Sequence, residues 1–177
     1  MKSLVKKLCI ITILFCAANS VYAQTERDIY AGVGAGFDYG GIGGKIEYLP
    51  AKHFGLFAGL GFNMSSLGWN IGATYKILPD KKISPNFMVF YGYNAVFQVD
   101  GDADYADKYN TTSYGFTIGM NLDVKSGSKG NKWSFGLFVP FRSSKFRNNY
   151  DAAKNDSYLD VDELIPIGIS VGYNFKL

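Results

Sequence analysis

Hydrophobic and polar positions alternate with a period of two along most of this chain, most strictly at its end. Across 165–177 the odd positions are apolar or aromatic: Ile165, Ile167, Ile169, Val171, Tyr173, Phe175 and Leu177. The even positions are small, polar or charged: Pro166, Gly168, Ser170, Gly172, Asn174 and Lys176. A two-residue period belongs to a β-strand whose faces meet different surroundings. Apolar residues outward with small or polar ones inward is the pattern of a strand in a membrane-spanning barrel. A soluble sandwich would turn its polar face to water and has less use for so many inward glycines.

The same alternation predicts eight strands. The first, 29–39, sets Ile29, Ala31, Val33, Ala35, Phe37 and Tyr39 against Tyr30, Gly32, Gly34, Gly36 and Asp38. The second, 43–49, turns Ile46 and Tyr48 out and Lys45 and Glu47 in. The third, 54–64, has Phe54, Leu56, Ala58, Leu60, Phe62 and Met64 outward over an inner face of mostly glycine, with Phe57 as the bulky exception. The fourth, 67–77, sets Leu67, Trp69, Ile71, Ala73, Tyr75 and Ile77 opposite Gly68, Asn70, Gly72, Thr74 and Lys76. The fifth, 86–99, turns Phe87, Val89, Tyr91, Tyr93, Ala95, Phe97 and Val99 outward. In the sixth, 112–125, Tyr114, Phe116, Ile118, Met120, Leu122 and Val124 lie over Ser113, Gly115, Thr117, Gly119, Asn121 and Asp123. The seventh, 132–142, exposes Trp133, Phe135, Leu137, Val139 and Phe141, and 165–177 is the eighth.

Eight is even, as single-chain bacterial barrels require, and is their smallest size. The predicted fold is therefore all-β, an eight-stranded antiparallel up-and-down barrel in the membrane. Closure matters because an open sheet edge in lipid leaves backbone groups without partners. With both termini on one side, the two longest connections, 100–111 and 143–163, fall together on the other. Trp69, Tyr75, Trp133, Tyr173 and Phe175 are candidates for aromatic girdles. A barrel of eight strands has room inside only for side chains. Phe57, Met88, Phe90 and Phe138 would add bulk there, and Lys45, Glu47, Lys76, Asp123, Lys125, Arg142 and Lys176 offer mixed charge. Buried ions must pair, which predicts salt bridges through the lumen and argues against an open diffusion pore.

The opening residues change the charge picture. Lys2, Lys6 and Lys7 precede an apolar run from Leu8 to Ala18, and Val21-Tyr22-Ala23 makes a small-x-small cleavage pattern. This is the form of a signal peptide, predicting a leader over 1–23 and a single barrel domain over 24–177. The apolar run is too short for a spanning helix. Phe15 before Cys16 is unlike the small residue that a lipid-anchor cleavage requires. Cys9 and Cys16 leave with the leader, so no thiol chemistry remains. Of 18 basic and 15 acidic residues the leader takes three lysines, leaving the remainder balanced. Nucleic acid, which needs accumulated positive charge, is not an expected partner.

IYAGVGAGFDYGGIGGKIEYLP over 29–50, HFGLFAGLGFN over 53–63 and the closing VGYNF over 171–175 resemble small outer membrane β-barrel proteins of Gram-negative bacteria. The closest resemblance is to the porin-like barrel-domain proteins common in Bacteroidetes. It implies an eight-stranded barrel in the cell outer membrane, in contact with membrane lipid and lipopolysaccharide and inserted by the outer membrane assembly machinery. The usual assembly signal ends on an aromatic residue. Here Tyr173, Val171 and Ile169 follow that rule, but the last residue is Leu177, with Phe175 two places earlier.

Candidate chemistry is sparse. The sole histidine, His53, falls in a turn on the side of the termini, away from where a lipid-modifying barrel enzyme would need a histidine with a nucleophile and an orienter. Asp100, Asp102, Asp104 and Asp107 resemble part of a calcium loop, but Tyr105 and Thr111 stand where an EF-hand needs glycine and glutamate. With Asp151, Asp156, Asp160, Asp162 and Glu163 they could bridge to lipopolysaccharide through divalent cations as a general surface property. Gly32, Gly34 and Gly36 lie at period two inside a strand and are no phosphate loop. Asn110-Thr111-Thr112 matches a glycosylation acceptor and agrees with an exposed loop. No catalytic, cofactor or metal residue is expected. The reading is a non-enzymatic, monomeric barrel with a structural or surface-interaction role in the envelope. A partner could meet loops 100–111 and 143–163 through Tyr105, Tyr109, Tyr150 and Tyr158, or these rings could simply cover the barrel mouth. The alternatives are a narrow porin-like channel for small solutes and, more remotely, a lipid-modifying outer membrane enzyme.

Overall fold

Eight strands close on themselves in sequence order. The structure, a computed structural model, describes residues 27–63, 66–97, 111–127, 129–156 and 163–177. The strands are β1 (Asp28–Gly36), β2 (Gly41–Ala51), β3 (Phe54–Phe62), β4 (Leu67–Lys76), β5 (Ile83–Phe97), β6 (Thr111–Ser126), β7 (Asn131–Pro140) and β8 (Gly168–Lys176). Every neighbouring pair is antiparallel. β8 returns to β1 from Tyr30↔Lys176 to Gly36↔Ser170, which leaves the sheet without an edge. The predicted up-and-down barrel is the observed one.

The inward and outward faces follow the alternation through most of the wall. Val33, Ile46, Leu60, Ile71, Val89, Ile118, Leu137 and Val171 are exposed on the outside. Two aromatic clusters sit near opposite ends of that apolar surface. Trp133, Tyr173 and Phe175 pack edge-on at 5.0 and 4.9 Å at the end carrying the termini. Trp69, Tyr91, Tyr114 and Phe116 gather at the other. Among the described residues no helix is long and apolar enough to cross a membrane.

Departures from the expected pattern cluster at the end opposite the termini. β1 stops at Gly36, and Phe37–Tyr39 forms a 3-10 turn that folds into the barrel. Phe37 and Tyr39 are therefore not outward residues; Asp38 and Tyr39 are fully buried. Gly36 (φ 132°) and Gly40 (φ 72°) bracket the turn in backbone conformations that other residues rarely adopt. On β5 the register slips between Tyr93 and Ala95. This bulge ends the outward series early, and Tyr93, Ala95 and Phe97 are buried. β8 begins at Gly168, so Ile165 and Ile167 are exposed but precede the strand, and β2 is longer than the predicted 43–49. Met64 and Val99 lie outside the described residues.

The connection 143–163, read as polar loop, contains a helix, α1 (Ser144–Lys154). Ser143 caps it, its Oγ accepting the Phe146 amide at 3.3 Å. Phe146, Tyr150 and Ala153 form one helical face buried on Ala95 and Phe97 of the β5 extension. Tyr150 is thus a packing residue, 5.4 Å from the Phe97 ring. Tyr105, Tyr109 and Tyr158 lie outside the described residues, as do Asp100, Asp102, Asp104, Asp107, Asp160 and Asp162.

Candidate functional site: the charged lumen and its inserted turn

Inward positions of β2, β4, β6 and β7 bring four charged side chains together. Lys76 Nζ lies 3.0 Å from Glu47 Oε1 and 2.8 Å from Asp123 Oδ2. Lys132 Nζ lies 2.5 Å from Glu47 Oε2 and 2.7 Å from Asp123 Oδ2. Each ammonium bridges both carboxylates, so the four form a neutral alternating ring, nearly free of solvent. Thr74 donates to Glu47 at 3.1 Å; Asn121 and Ser134 donate to Asp123 at 2.8 and 2.6 Å. The Lys132 ammonium also lies 4.4 Å from the centre of the Tyr30 ring. Burying ions is tolerable only when such partners occupy their remaining lone pairs and protons.

The salt bridges expected through the lumen are present, with a different membership. Glu47, Lys76 and Asp123 belong to the ring, and Lys45 pairs with Asp38 of the inserted turn. Lys132 was missed, although its parity with Ser134 and Phe138 on strand seven marks it as inward. Lys176 instead pairs with Asp28 at the rim, 2.8 Å away. Lys125 lies at the lip near the termini, and the Arg142 guanidinium donates to the Ile165 carbonyl outside the lumen. Inward parity alone does not decide the membership: Lys76, the last residue of β4, and Lys132, the second of β7, reach the ring, whereas Lys176, the last of β8, stays at the rim.

Beyond the ring, toward the far end, Phe57, Met88, Phe90 and Phe138 form an apolar layer on one side, as their parity predicts. Phe90 meets Phe57 and Phe138 edge-on at 5.7 and 5.3 Å. Between the ring and Phe57 and Met88 the space does not admit a water molecule. The other side of the lumen stays polar. Ser134 donates to Asp123, Asn174 donates to Ser134 at 2.9 Å, and Tyr39 donates to Asn174 at 3.3 Å. Donors in this chain all point the same way, so each bond polarises the next.

The inserted turn completes the closure. Phe37 packs on the apolar layer and lies 5.8 Å from Tyr93; Asn70 donates to the Phe37 carbonyl. Lys45, paired with Asp38, also sits over the Tyr39 ring at 4.3 Å. Glycines make the space. A Cβ on Gly34 or Gly172 would fall on the Tyr39 ring, one on Gly168 on the Phe37 ring, and one on Gly59 or Gly61 on the backbone of the turn. The run of inward glycines seats this turn.

No protein-family model and no curated protein matches this chain. The resemblance drawn from the sequence therefore stands at the level of the barrel, and the chemistry of the lumen must be read from its geometry.

Among the described residues, that geometry brings no histidine into the lumen. His53 lies in the turn between β2 and β3, where its Nδ1–H donates to the Lys76 carbonyl at 2.7 Å and its ring stacks on Tyr75 at 5.9 Å. It holds a turn together at the end where the sequence placed it. Among the described residues no three histidine, cysteine, aspartate or glutamate side chains are arranged to hold a metal ion. The ring carboxylates are already engaged by lysines.

Proposed function

We propose that this chain is a non-catalytic outer membrane β-barrel, porin-like in kind, whose lumen is a narrow path for water and small ions held closed at rest. One observation carries the reading. A directional hydrogen-bonded chain runs from the ion ring through Ser134 and Asn174 to Tyr39, beside the apolar layer and not interrupted by it. On β5, Asn86 and Ser84 keep buried polar atoms without a protein partner, the kind of group that water binds. A barrel serving only as a scaffold could fill its interior with apolar side chains and avoid the cost of desolvating three cations and three anions. The apolar outer surface, the two aromatic clusters and the signal-peptide pattern support the membrane placement. In that placement lipopolysaccharide surrounds the end bearing α1, and the assembly machinery reads the apolar alternation of β8.

A second reading, a permanently closed barrel with a structural or surface-interaction role, is favoured by the packing of Phe57, Phe90 and Phe138 and by the helix over the far end. Planar-bilayer recording separates the two. The channel reading expects rare, small openings from the intact barrel, and openings at least tenfold more frequent when Phe37 and Tyr39 are both replaced by serine. Electrical silence of both proteins, each shown to be folded and inserted, would leave the structural reading.

A further inference from the structure

The ring of turns at the terminal end of the barrel is strongly and one-sidedly charged. Lys52 comes from the β2–β3 turn, Lys81 and Lys82 from the β4–β5 turn, and Lys125 and Lys129 flank the β6–β7 turn. Arg27 and Lys176 come from the two terminal segments. Against these seven cations the same end presents two carboxylates among the described residues. Asp80 lies 3.5 Å from Lys52 and Asp28 lies 2.8 Å from Lys176. The other five make no ion pair among the described residues; counted by sequence, with Glu26 included, the end carries a net charge of +4. The β5–β6 and β7–β8 connections at the opposite end hold nine acidic and five basic residues by sequence. The chain thus has no net charge beyond its leader, yet it is polarised along the barrel axis.

The collar stands directly above the aromatic cluster of Trp133, Tyr173 and Phe175 and the exposed Ile77, Leu78 and Ile83. Aromatic rings next to an apolar wall mark the headgroup level of a bilayer. Lysines just beyond it can lay their methylene stems on the wall and hold their ammonium groups among headgroups. We infer that this collar is a docking surface for anionic, phosphate-bearing lipid headgroups, specifically those of the leaflet that meets the terminal end. Charge complementarity selects the partner, because a neutral zwitterionic headgroup gives this excess of cations no net counter-charge. The inference rests on the membrane placement proposed above but not on conduction.

The chain contains two tryptophans, one near each end of the barrel, which makes a direct test possible. In the Trp69→Phe variant Trp133 alone reports the collar; in the Trp133→Phe variant Trp69 alone reports the other end. Each is reconstituted in vesicles mixing ordinary phosphatidylcholine with either brominated phosphatidylglycerol or brominated phosphatidylcholine, and quenching gives the relative affinity at that end. At Trp133 we expect a preference for phosphatidylglycerol of about fivefold, the equivalent of one favourable lysine–headgroup contact. It should vanish in 1 M salt, where screening reaches about 3 Å, and in the Lys81→Gln/Lys82→Gln/Lys129→Gln variant. Trp69 should show no such preference.

Equal quenching by the two lipids at Trp133, or the same preference at both tryptophans, would overturn the inference. Salt-sensitive retention on isolated cell-wall polymer without a lipid preference would also overturn it and give the collar a different partner. Absence of quenching by either lipid at either tryptophan would instead mean that the barrel is not in the bilayer. That result fails the membrane placement, and the inference with it, and is distinguishable from the others.

Discussion

The Tyr39 hydroxyl donates to Asn174 Oδ1 at 3.3 Å, across 135 positions of sequence. This bond ties the turn after the first strand to the closing third of the last, beside the β1–β8 seam that closes the barrel. The ladder of the seam is a backbone ladder, and the Tyr39 contact adds a side-chain link from the turn after β1 to β8, as Lys176–Asp28 does at the rim. It also sets the depth to which the inserted turn enters, because Asn174 is held in turn by Ser134 and Asp123.

The seat of Tyr39 should therefore be intolerant of a single added methyl group. Gly172→Ala places a Cβ on the phenol, whose ring is pinned by Lys45 and fully buried. Overpacking of this kind costs about 1–3 kcal/mol, read as a lower urea midpoint for the barrel in detergent. Gly44→Ala is the control: its Cβ would meet only the Gly32 carbonyl at 3.6 Å, and its effect should stay within about 0.5 kcal/mol. Tyr39→Leu should restore much of the loss in Gly172→Ala. Equal effects at Gly172 and Gly44 would mean that the turn is not seated where these distances place it.

The wall was legible because strand periodicity couples every residue to its neighbours two places away. Once Ile169, Val171 and Tyr173 are outward, Ser170, Gly172 and Asn174 follow. Closure was legible from parity and loop lengths, and three of the four members of the ion ring (Glu47, Lys76 and Asp123) from inward parity alone. The inserted turn was not. Phe37 and Tyr39 continue the apolar parity of β1, and parity does not say whether an apolar side chain is buried by lipid or by the lumen. Gly36, Gly40 and Gly41 carried the relevant signal: three glycines around FDY allow a reversal that a continuing strand would not need. The helix was concealed similarly. Ser143 followed by Phe146, Tyr150 and Ala153 is a cap and a helical stripe, but the polar residues between them read as loop. The bulge at Tyr93 and Ala95 leaves no mark in the sequence that distinguishes it from a regular strand.

Ile118 tests the membrane placement. It is exposed in the middle of β6 between Val89 and Val139. In a bilayer Ile118→Arg should destabilise the barrel by about 2–4 kcal/mol, the cost of an arginine near the midplane. Ile165→Arg, equally apolar and exposed but preceding β8, should cost well under 1 kcal/mol. Folding titrations in phosphatidylcholine vesicles give both numbers. If the two substitutions proved equally harmless, the apolar wall would not be facing hydrocarbon.

Helix α1 should melt without the barrel. Ser143→Ala removes the acceptor for the Phe146 amide and should weaken the helix by about 1 kcal/mol. Amide exchange over 147–154 should accelerate about fivefold while exchange in β6 and β7 stays unchanged. Replacing 144–154 by a short glycine–serine linker should likewise leave heat-modifiable migration on gels intact, since strand pairing and closure lie elsewhere. Loss of folding in that variant would make the helix part of the barrel's core and contradict this division.

The ion ring should show strong coupling between residues that touch. Lys132→Met leaves Glu47 and Asp123 to share the single cation of Lys76, and Glu47→Gln leaves two cations facing Asp123. Each single change should cost about 3–5 kcal/mol, the usual penalty for stranding a buried charge. Lys132→Met combined with Glu47→Gln removes one charge of each sign and leaves Lys76 and Asp123 as an intact pair at 2.8 Å. The double variant should therefore lie within about 2 kcal/mol of the parent, far above the sum of the singles, with a coupling of several kcal/mol in a double-mutant cycle. Lys125→Met at the lip, outside the ring, should change the urea midpoint little. Additive single effects would show that these four charges are solvated separately, and the closed lumen would then be wrong at its centre.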